Sequence, residues 1–352
     1  MSERDTLRVG IIGVGIGQAH IKGYSQVKEA KVVALCDLNE ARAREVAQDC
    51  SVQNAEIFTD HRALLERKDI DAVSVCLPNK LHAPIAIDAL NAGKHVLCEK
   101  PLAIDAASAQ LIADAAEKNG KNCMVGQVKR FEPEARALKA IVSSGALGRI
   151  YYEKALWLRK RGIPGYGGWF TTKSMSGGGP LIDIGVHLLD AAWWLAGCPQ
   201  PTGVFGATYA EFGPRGKGLG GWGNEKKPEG TFDVEDLAVG LIRFEGGLTI
   251  NLEVSWAIHQ ARERQVVEVF GSDGGAEWGN GASIFRDIEG VASNTKLEVP
   301  QGDAWAREMQ HFVDSILNGT TPDPDAKQGV WMMKMLEGLY KSAEAGHEIA
   351  ID

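Results

Sequence analysis

Leu7–His20 reads LRVGIIGVGIGQAH, and the way this stretch folds decides the rest. An apolar run is closed by Gly13, Gly15 and Gly17 and leads into a helix-forming segment. A strand, a tight turn and a helix bring backbone N–H groups at a helix N-terminus to one point, where a pyrophosphate binds. The spacing departs from G-x-G-x-x-G: the third glycine belongs at position 18, which is Gln18, and Gly17 stands one place early. Taken alone, Gly13-Val14-Gly15-Ile16-Gly17 is equally a plain strand-to-helix turn.

The next apolar run, KVVALCD, ends in Asp37, 24 residues after Gly13. That is near the interval of about 20 at which an acidic side chain holds the adenosine ribose diol. Turn and acid together read as a dinucleotide site, and a carboxylate there repels a 2′-phosphate, so NAD is expected over NADP. Further runs, AEIFTD, DAVSVCLP, HVLCEKP and KNCMVGQ, alternate with helical stretches. Continuous apolar strands separated by helices predict a parallel sheet covered on both faces, a doubly wound Rossmann-type domain over residues 1–125.

From residue 126 to 352 the texture changes. PEARALKAIVSSGALG predicts a helix and RIYYEKALWLRKR a long strand. LIDIGVHLLDAAWWLAG predicts an amphipathic helix closed by Gly197, and VFGATYAEF, LAVGLIRFEG, LTINLEVSWAI and VVEVFGS predict long strands. Helices are expected at about 303–318 and 325–345. The second domain is therefore α/β with an open, mostly antiparallel sheet. Gly213–Thr231, rich in Gly, Lys and Pro, reads as a long surface loop, either a tolerated insertion, a lid or a subunit contact.

The 352 residues suffice for about two domains, and 44% hydrophobic with 24% charged residues is the balance of a globular protein. A net charge of −8 disfavours nucleic acid and anionic membranes as partners. No run reaches the roughly 18 apolar residues of a membrane span. Cys36, Cys50, Cys76, Cys98, Cys123 and Cys198 form no CxxC pair, which reads as buried reduced thiols in a cytoplasmic protein.

In HVLCEKPL the pair Glu99-Lys100 ends an apolar strand just before Pro101. It is either a surface ion pair or a lysine placed to polarise a substrate oxygen during hydride transfer. In GGGPLIDIGVHLLD, Asp183, His187 and Asp190 fall along one helical face. Proton transfer suits a histidine near neutral pH; a metal site and a satisfied core histidine are the other readings. Pro78 and Asn79 in LPNKLH follow the fourth strand and either cap a helix or border the cofactor. Arg159, Lys160 and Arg161 end a strand beside GIPGYGGWF, as a solvated strand end or as part of a sugar site.

These residues together resemble the Gfo/Idh/MocA family, named for glucose-fructose oxidoreductase and inositol dehydrogenase. The resemblance rests on the glycine turn, on Pro78-Asn79 with His82, on Glu99-Lys100-Pro101, on Val125-Gly126 with Arg130, Phe131 and Pro133, and on Gly177-Gly178-Gly179 with Asp183, Gly185, His187 and Asp190. It implies a nicotinamide-dependent dehydrogenase or reductase of sugars, glycosides or cyclitols, assembled as a dimer or tetramer through the C-terminal sheet. Catalytic roles are implied for Lys100, His187 and Asp183. Cofactor contacts are implied at Gly13, Gly15, Ile16, Gly17, Asp37, Pro78, Asn79, His82, Glu99, Lys100 and Trp169, and substrate contacts at Lys100, Gln127, Arg159, Asp183 and His187. The chain departs from the family where Phe170 follows Trp169, a position at which relatives commonly carry Arg. A redox-neutral enzyme that recycles bound NAD and a non-catalytic nucleotide-binding regulator are the competing classes.

Overall fold

The computed structural model describes residues 6–223, 227 and 229–352. The charged start of the chain and residues 224–226 and 228 of the Gly213–Thr231 segment lie outside them. By internal contacts the chain divides into two compact units.

The first unit runs to Phe131 and takes in Gly302–Val330. Its sheet comprises β1 (Leu7–Ile12), β2 (Ala30–Cys36), β3 (Glu56–Phe58), β4 (Ala72–Val75), β5 (His95–Glu99) and β6 (Cys123–Gly126), all parallel, in the order β3-β2-β1-β4-β5-β6. The order reverses between β1 and β4, and ligands in such sheets bind beyond the carboxyl ends of the strands at that reversal. Local chemistry sets the intervening helices. Asn39, Asp60 and Asp105 each cap a helix by accepting a backbone N–H two or three residues on, and Gly120 closes helix Ala106–Asn119 in the left-handed conformation.

Gly302–Val330 belongs to the first unit, although the sequence reading placed it in the second domain. Met309, Phe312 and Val313 form the apolar stripe of helix Ala304–Leu317 and are fully buried in the core with Ile21 and Tyr24. Gly23 admits that helix, since a Cβ there would lie 2.8 Å from Met309 Cγ. An apolar stripe shows that a helix packs but not against which domain.

The second unit holds β7 (Ile150–Leu158), β8 (Pro201–Tyr209), β9 (Leu237–Phe244), β10 (Thr249–Ser255), β11 (Arg264–Gly271), β12 (Gly275–Gly279), β13 (Gly281–Ile288), β14 (Val291–Lys296) and β15 (Ile349–Ala350). Their order is β14-β13-β12-β11-β7-β10-β9-β8-β15, and only β7 with β10 is a parallel pair. The sequence reading did not name β12 to β14, which are short hairpin strands rich in Gly, Ser and charge. Helix Val186–Leu195 packs on β7, β10 and β11 and also meets helix Pro133–Ser143. It is therefore buried nearly all round rather than amphipathic as expected. Across the sheet, Phe205, Leu241, Asn251, Lys154 and Glu268 stand in one row by register and so share a face. Phe205 and Leu241 are 48% and 44% exposed, so that face is open.

Glu153 lies in mid-sheet on β7, fully buried, and among the described residues neither carboxylate oxygen has a hydrogen-bond partner. Burial pushes its carboxyl well above the usual 4.5, with Lys139 pulling weakly the other way. A carboxyl raised on folding contributes stability below its unfolded value and loses it as pH rises. The loss runs at about 1.4 kcal/mol per pH unit until the folded-state value is passed. Glu153→Gln should therefore melt like wild type near about pH 4 and clearly higher near about pH 8. Calorimetry at the two pH values tests this, and an equal shift at both would show that the charge is not the cause.

Candidate functional site

In the first unit, β1 runs into Gly13, whose φ of +92° favours glycine. A Cβ there would lie 2.3 Å from the Cys76 carbonyl oxygen at the end of β4. Gly17 opens helix Gly17–Tyr24, and a Cβ on it would lie 2.8 Å from Ile11 Cγ2. Gly17 thus allows the close helix-to-strand packing for which the third glycine of such turns is known, from one position earlier. Gly15 differs, because its added Cβ would meet nothing within 4 Å. The helix has no side-chain cap, Ile16 is 46% exposed, and among the described residues no acceptor meets the N–H groups of Gly15, Ile16 and Gly17. Such unmet donors above open space fit a pyrophosphate. Asp37 completes the turn by accepting the Val14 N–H at 3.1 Å and the Asn39 N–H at 2.9 Å, which holds its carboxylate beside the turn.

Beyond β4 and β5 two turns are tied together by His82. Its ring is fully buried, with Nδ1 2.7 Å from Pro101 O and Nε2 2.7 Å from Leu77 O. Burial pushes the imidazole below its ordinary pKa while the two carbonyls pull it back up. Both polar atoms of His82 are thus engaged by backbone, and Pro78 with buried Asn79 sits in the turn it braces. Glu99 is buried too. Its Oε1 is 2.8 Å from His20 Nε2, and its Oε2 accepts the N–H of half-buried Lys100 at 3.1 Å. The sequence reading missed His20, which is fully buried on helix Gly17–Tyr24 and packs its ring against Trp305 at 5.4 Å; a lone histidine in a helix carries no pattern. Gln127 follows β6, 2% exposed, and among the described residues no donor meets its Oε1.

In the second unit, Leu181–Gly185 is a single π-helical turn that continues into helix Val186–Leu195. Wide turns of this kind recur at functional sites. Asp183 is carried on it, 6% exposed, and its Oδ2 accepts the indole N–H of fully buried Trp256 at 3.0 Å. His187 is half-buried, with its ring 6.0 Å from that of Trp157. Of the basic triplet only Arg159 turns inward; Lys160 and Arg161 are exposed. The Arg159 guanidinium is sandwiched between Trp157 at 4.7 Å and Trp222 at 5.2 Å, and among the described residues its buried Nη1 lacks an acceptor. Burial lowers its pKa, against the pull of Asp183 and Glu263. Trp169 stacks on Phe170 at 3.7 Å, and Phe170 meets Trp222 edge-on. Asp190 is buried, and among the described residues no group of three or more His, Cys, Asp or Glu is placed to hold a metal.

Residues 7–127 match the family described as "Oxidoreductase family, NAD-binding Rossmann fold", and residues 135–277 match the "GFO/IDH/MocA C-terminal domain". The chain is similar to D-glucoside 3-dehydrogenase of Escherichia coli (strain K12), 35% identical over 98% of this chain and 97% of that one. It is also similar to levoglucosan dehydrogenase of Pseudarthrobacter phenanthrenivorans, 30% identical over 76% and 72% of the two chains. Among solved structures, an oxidoreductase domain protein from Kribbella flavida aligns over 99% of both chains with a TM-score of 0.88 and 27% identity.

The glycines of the turn should separate in mutagenesis. Gly13→Ala, with a Cβ against a carbonyl and a positive φ, should cost about 1–3 kcal/mol of stability. Gly15→Ala should leave stability within about 0.5 kcal/mol and weaken dinucleotide binding about tenfold or more by filling the open space. Thermal melts and dinucleotide titration check both, and a Gly15→Ala protein with wild-type affinity would remove the pyrophosphate from this turn.

Proposed function

Because this chain belongs to the Gfo/Idh/MocA family of NAD-binding Rossmann-fold oxidoreductases and is a dehydrogenase, we propose that it oxidises a ring hydroxyl of a glycoside or free hexose to a keto-sugar. The observation that carries the sugar reading is the pair Asp183 and Arg159 set among Trp157, Trp222 and Trp256. The partly exposed rings of Trp157 and Trp222 pack on the C–H groups of a pyranose, while a carboxylate and a guanidinium take its hydroxyls; Trp256, wholly buried, holds Asp183 in place. Similarity over nearly the whole length to a protein named D-glucoside 3-dehydrogenase supports the same class.

The cofactor is NAD, which when bound takes the hydride from the carbinol carbon. The amides of Gly15, Ile16 and Gly17 hold its pyrophosphate, and Asp37 accepts from the adenosine ribose diol and repels a 2′-phosphate. Gln127, with a buried oxygen awaiting a donor, takes a substrate hydroxyl. Lys100 donates to the reacting oxygen and stabilises the negative charge that grows on it as its proton leaves. His187 accepts that proton, and Asp183 binds a neighbouring hydroxyl, so the ring is held in one orientation. His82 and Glu99 act by fixing the turns that present Pro78, Asn79 and Lys100. Trp169 borders the cofactor.

Two experiments follow. Purified protein mixed with NAD or NADP and a panel of glycosides, hexoses and inositols should show reduced nicotinamide by absorbance with NAD and a glycoside or hexose. Lys100→Met should bind NAD yet turn over roughly 10²- to 10⁴-fold more slowly. Near-normal turnover of that variant would overturn the role of Lys100, and a tighter dissociation constant for NADP would overturn that of Asp37. The open sheet face bearing Phe205 and Leu241 is assigned to self-association. Light scattering should give a dimer or tetramer that Leu241→Lys with Phe205→Lys dissociates without loss of circular dichroism; a monomeric wild type would end that assignment.

A further inference from the structure

Glu235 stands just before β9, 7% exposed, and none of the roles above uses it. Its carboxylate faces the backbone of the triple-glycine segment. Oε2 accepts the Gly179 N–H at 2.9 Å, and Oε1 accepts the Leu181 N–H at 3.0 Å and the Tyr340 hydroxyl at 2.9 Å. A Cβ on Gly178 would lie 2.0 Å from Tyr340 Oη, and one on Gly179 would lie 2.0 Å from the Glu235 carbonyl oxygen. These glycines are bare because a phenol and a glutamate press against the chain there.

The clamp sits at the start of the segment that carries Asp183 and His187. The first N–H groups of a helix have no partner inside it, and Pro180, the residue before the π-helical turn, supplies no capping side chain. The missing acceptor comes instead from a distant part of the chain. That part is itself pinned, because Asp236, fully buried, accepts the N–H groups of Glu211, Phe212 and Gly213. The Asp183 N–H in turn donates to Gly179 O at 3.0 Å. A cap borne on the helix would move with it, whereas one anchored at β9 fixes the helix start against the sheet.

We propose that Glu235, assisted by Tyr340, is a positioning residue for catalysis: it holds the start of helix Leu181–Leu195 and so sets the reach of Asp183 and His187. This rests on the roles given to those two residues above. Glu235→Gln puts an NH₂ where an acceptor stood, so at least one backbone N–H loses its partner. Tyr340→Phe removes one bond and keeps the ring.

The test measures kcat, sugar KM, NAD dissociation constant and melting temperature for Glu235→Gln, Tyr340→Phe, Asp183→Asn and each double variant with Asp183→Asn. Glu235→Gln should lower kcat/KM for the sugar about 10- to 100-fold at unchanged NAD affinity. Tyr340→Phe should show a smaller loss in the same parameter. Added to Asp183→Asn, each should lower kcat/KM by less than it does alone, because part of its effect runs through that residue; a merely structural role would lower the melting temperature and multiply the two losses. If Glu235→Gln does not fold, Tyr340→Phe carries the comparison. Variants with wild-type kcat and KM beside an impaired Asp183→Asn would overturn the clamp alone. An Asp183→Asn protein with wild-type rates would overturn the site reading and the clamp with it.

Discussion

Irregular backbone carries N–H groups that no helix or strand satisfies, and each one buried without an acceptor costs about 1–3 kcal/mol. Both units of this protein meet that cost with carboxylates. Asp37 takes the N–H of Val14 in the glycine turn, and Glu99 takes that of Lys100. Glu235 takes those of Gly179 and Leu181, and Asp236 those of three residues in a row. Each of these acids sits at or just beside a strand end. The rigid sheets thereby hold turns and a helix start that would otherwise need water, and the residues assigned to chemistry stand on the segments so held.

The same constraint explains the glycines. Where a carboxylate, a phenol or a neighbouring strand must approach the main chain, a Cβ has no room: Gly13 lies against Cys76, Gly178 against Tyr340 and Gly179 against Glu235. Gly15 differs from its neighbours in the turn, since its missing side chain leaves open space. Within the turn, Gly13 and Gly17 mark contacts inside the protein, whereas Gly15 leaves room beside its backbone. One sequence motif therefore mixes two physical demands, which the letters alone do not separate.

Much of the architecture was legible because it sits in short, ordered patterns. The alternation of apolar runs with helices gave the parallel sheet, and Gly13 with Asp37 gave the nucleotide end. Less legible were residues whose partners are far along the chain. His20 meets Glu99 across 79 positions and Trp256 meets Asp183 across 73. Helix Ala304–Leu317 reads as amphipathic from its own residues, yet which domain it completes depends on a surface some 280 residues earlier, at Gly23. Helix Val186–Leu195 misled in the opposite way, since a polar stripe on it is no evidence of solvent when strands and another helix enclose it.

The sequence by itself determined the strand and helix periodicity, the turn chemistry and the family to which the chain belongs, because periodicity and turns depend on near neighbours and the family is carried by short motifs in a fixed order along the chain. Tertiary structure alone decided which buried acids hold which loops, that only Arg159 of three basic residues is caught between indoles, and that Gly302–Val330 completes the first unit. Those outcomes turn on the distance between atoms far apart in the chain, and a linear order of residues carries no such distance until the chain has packed.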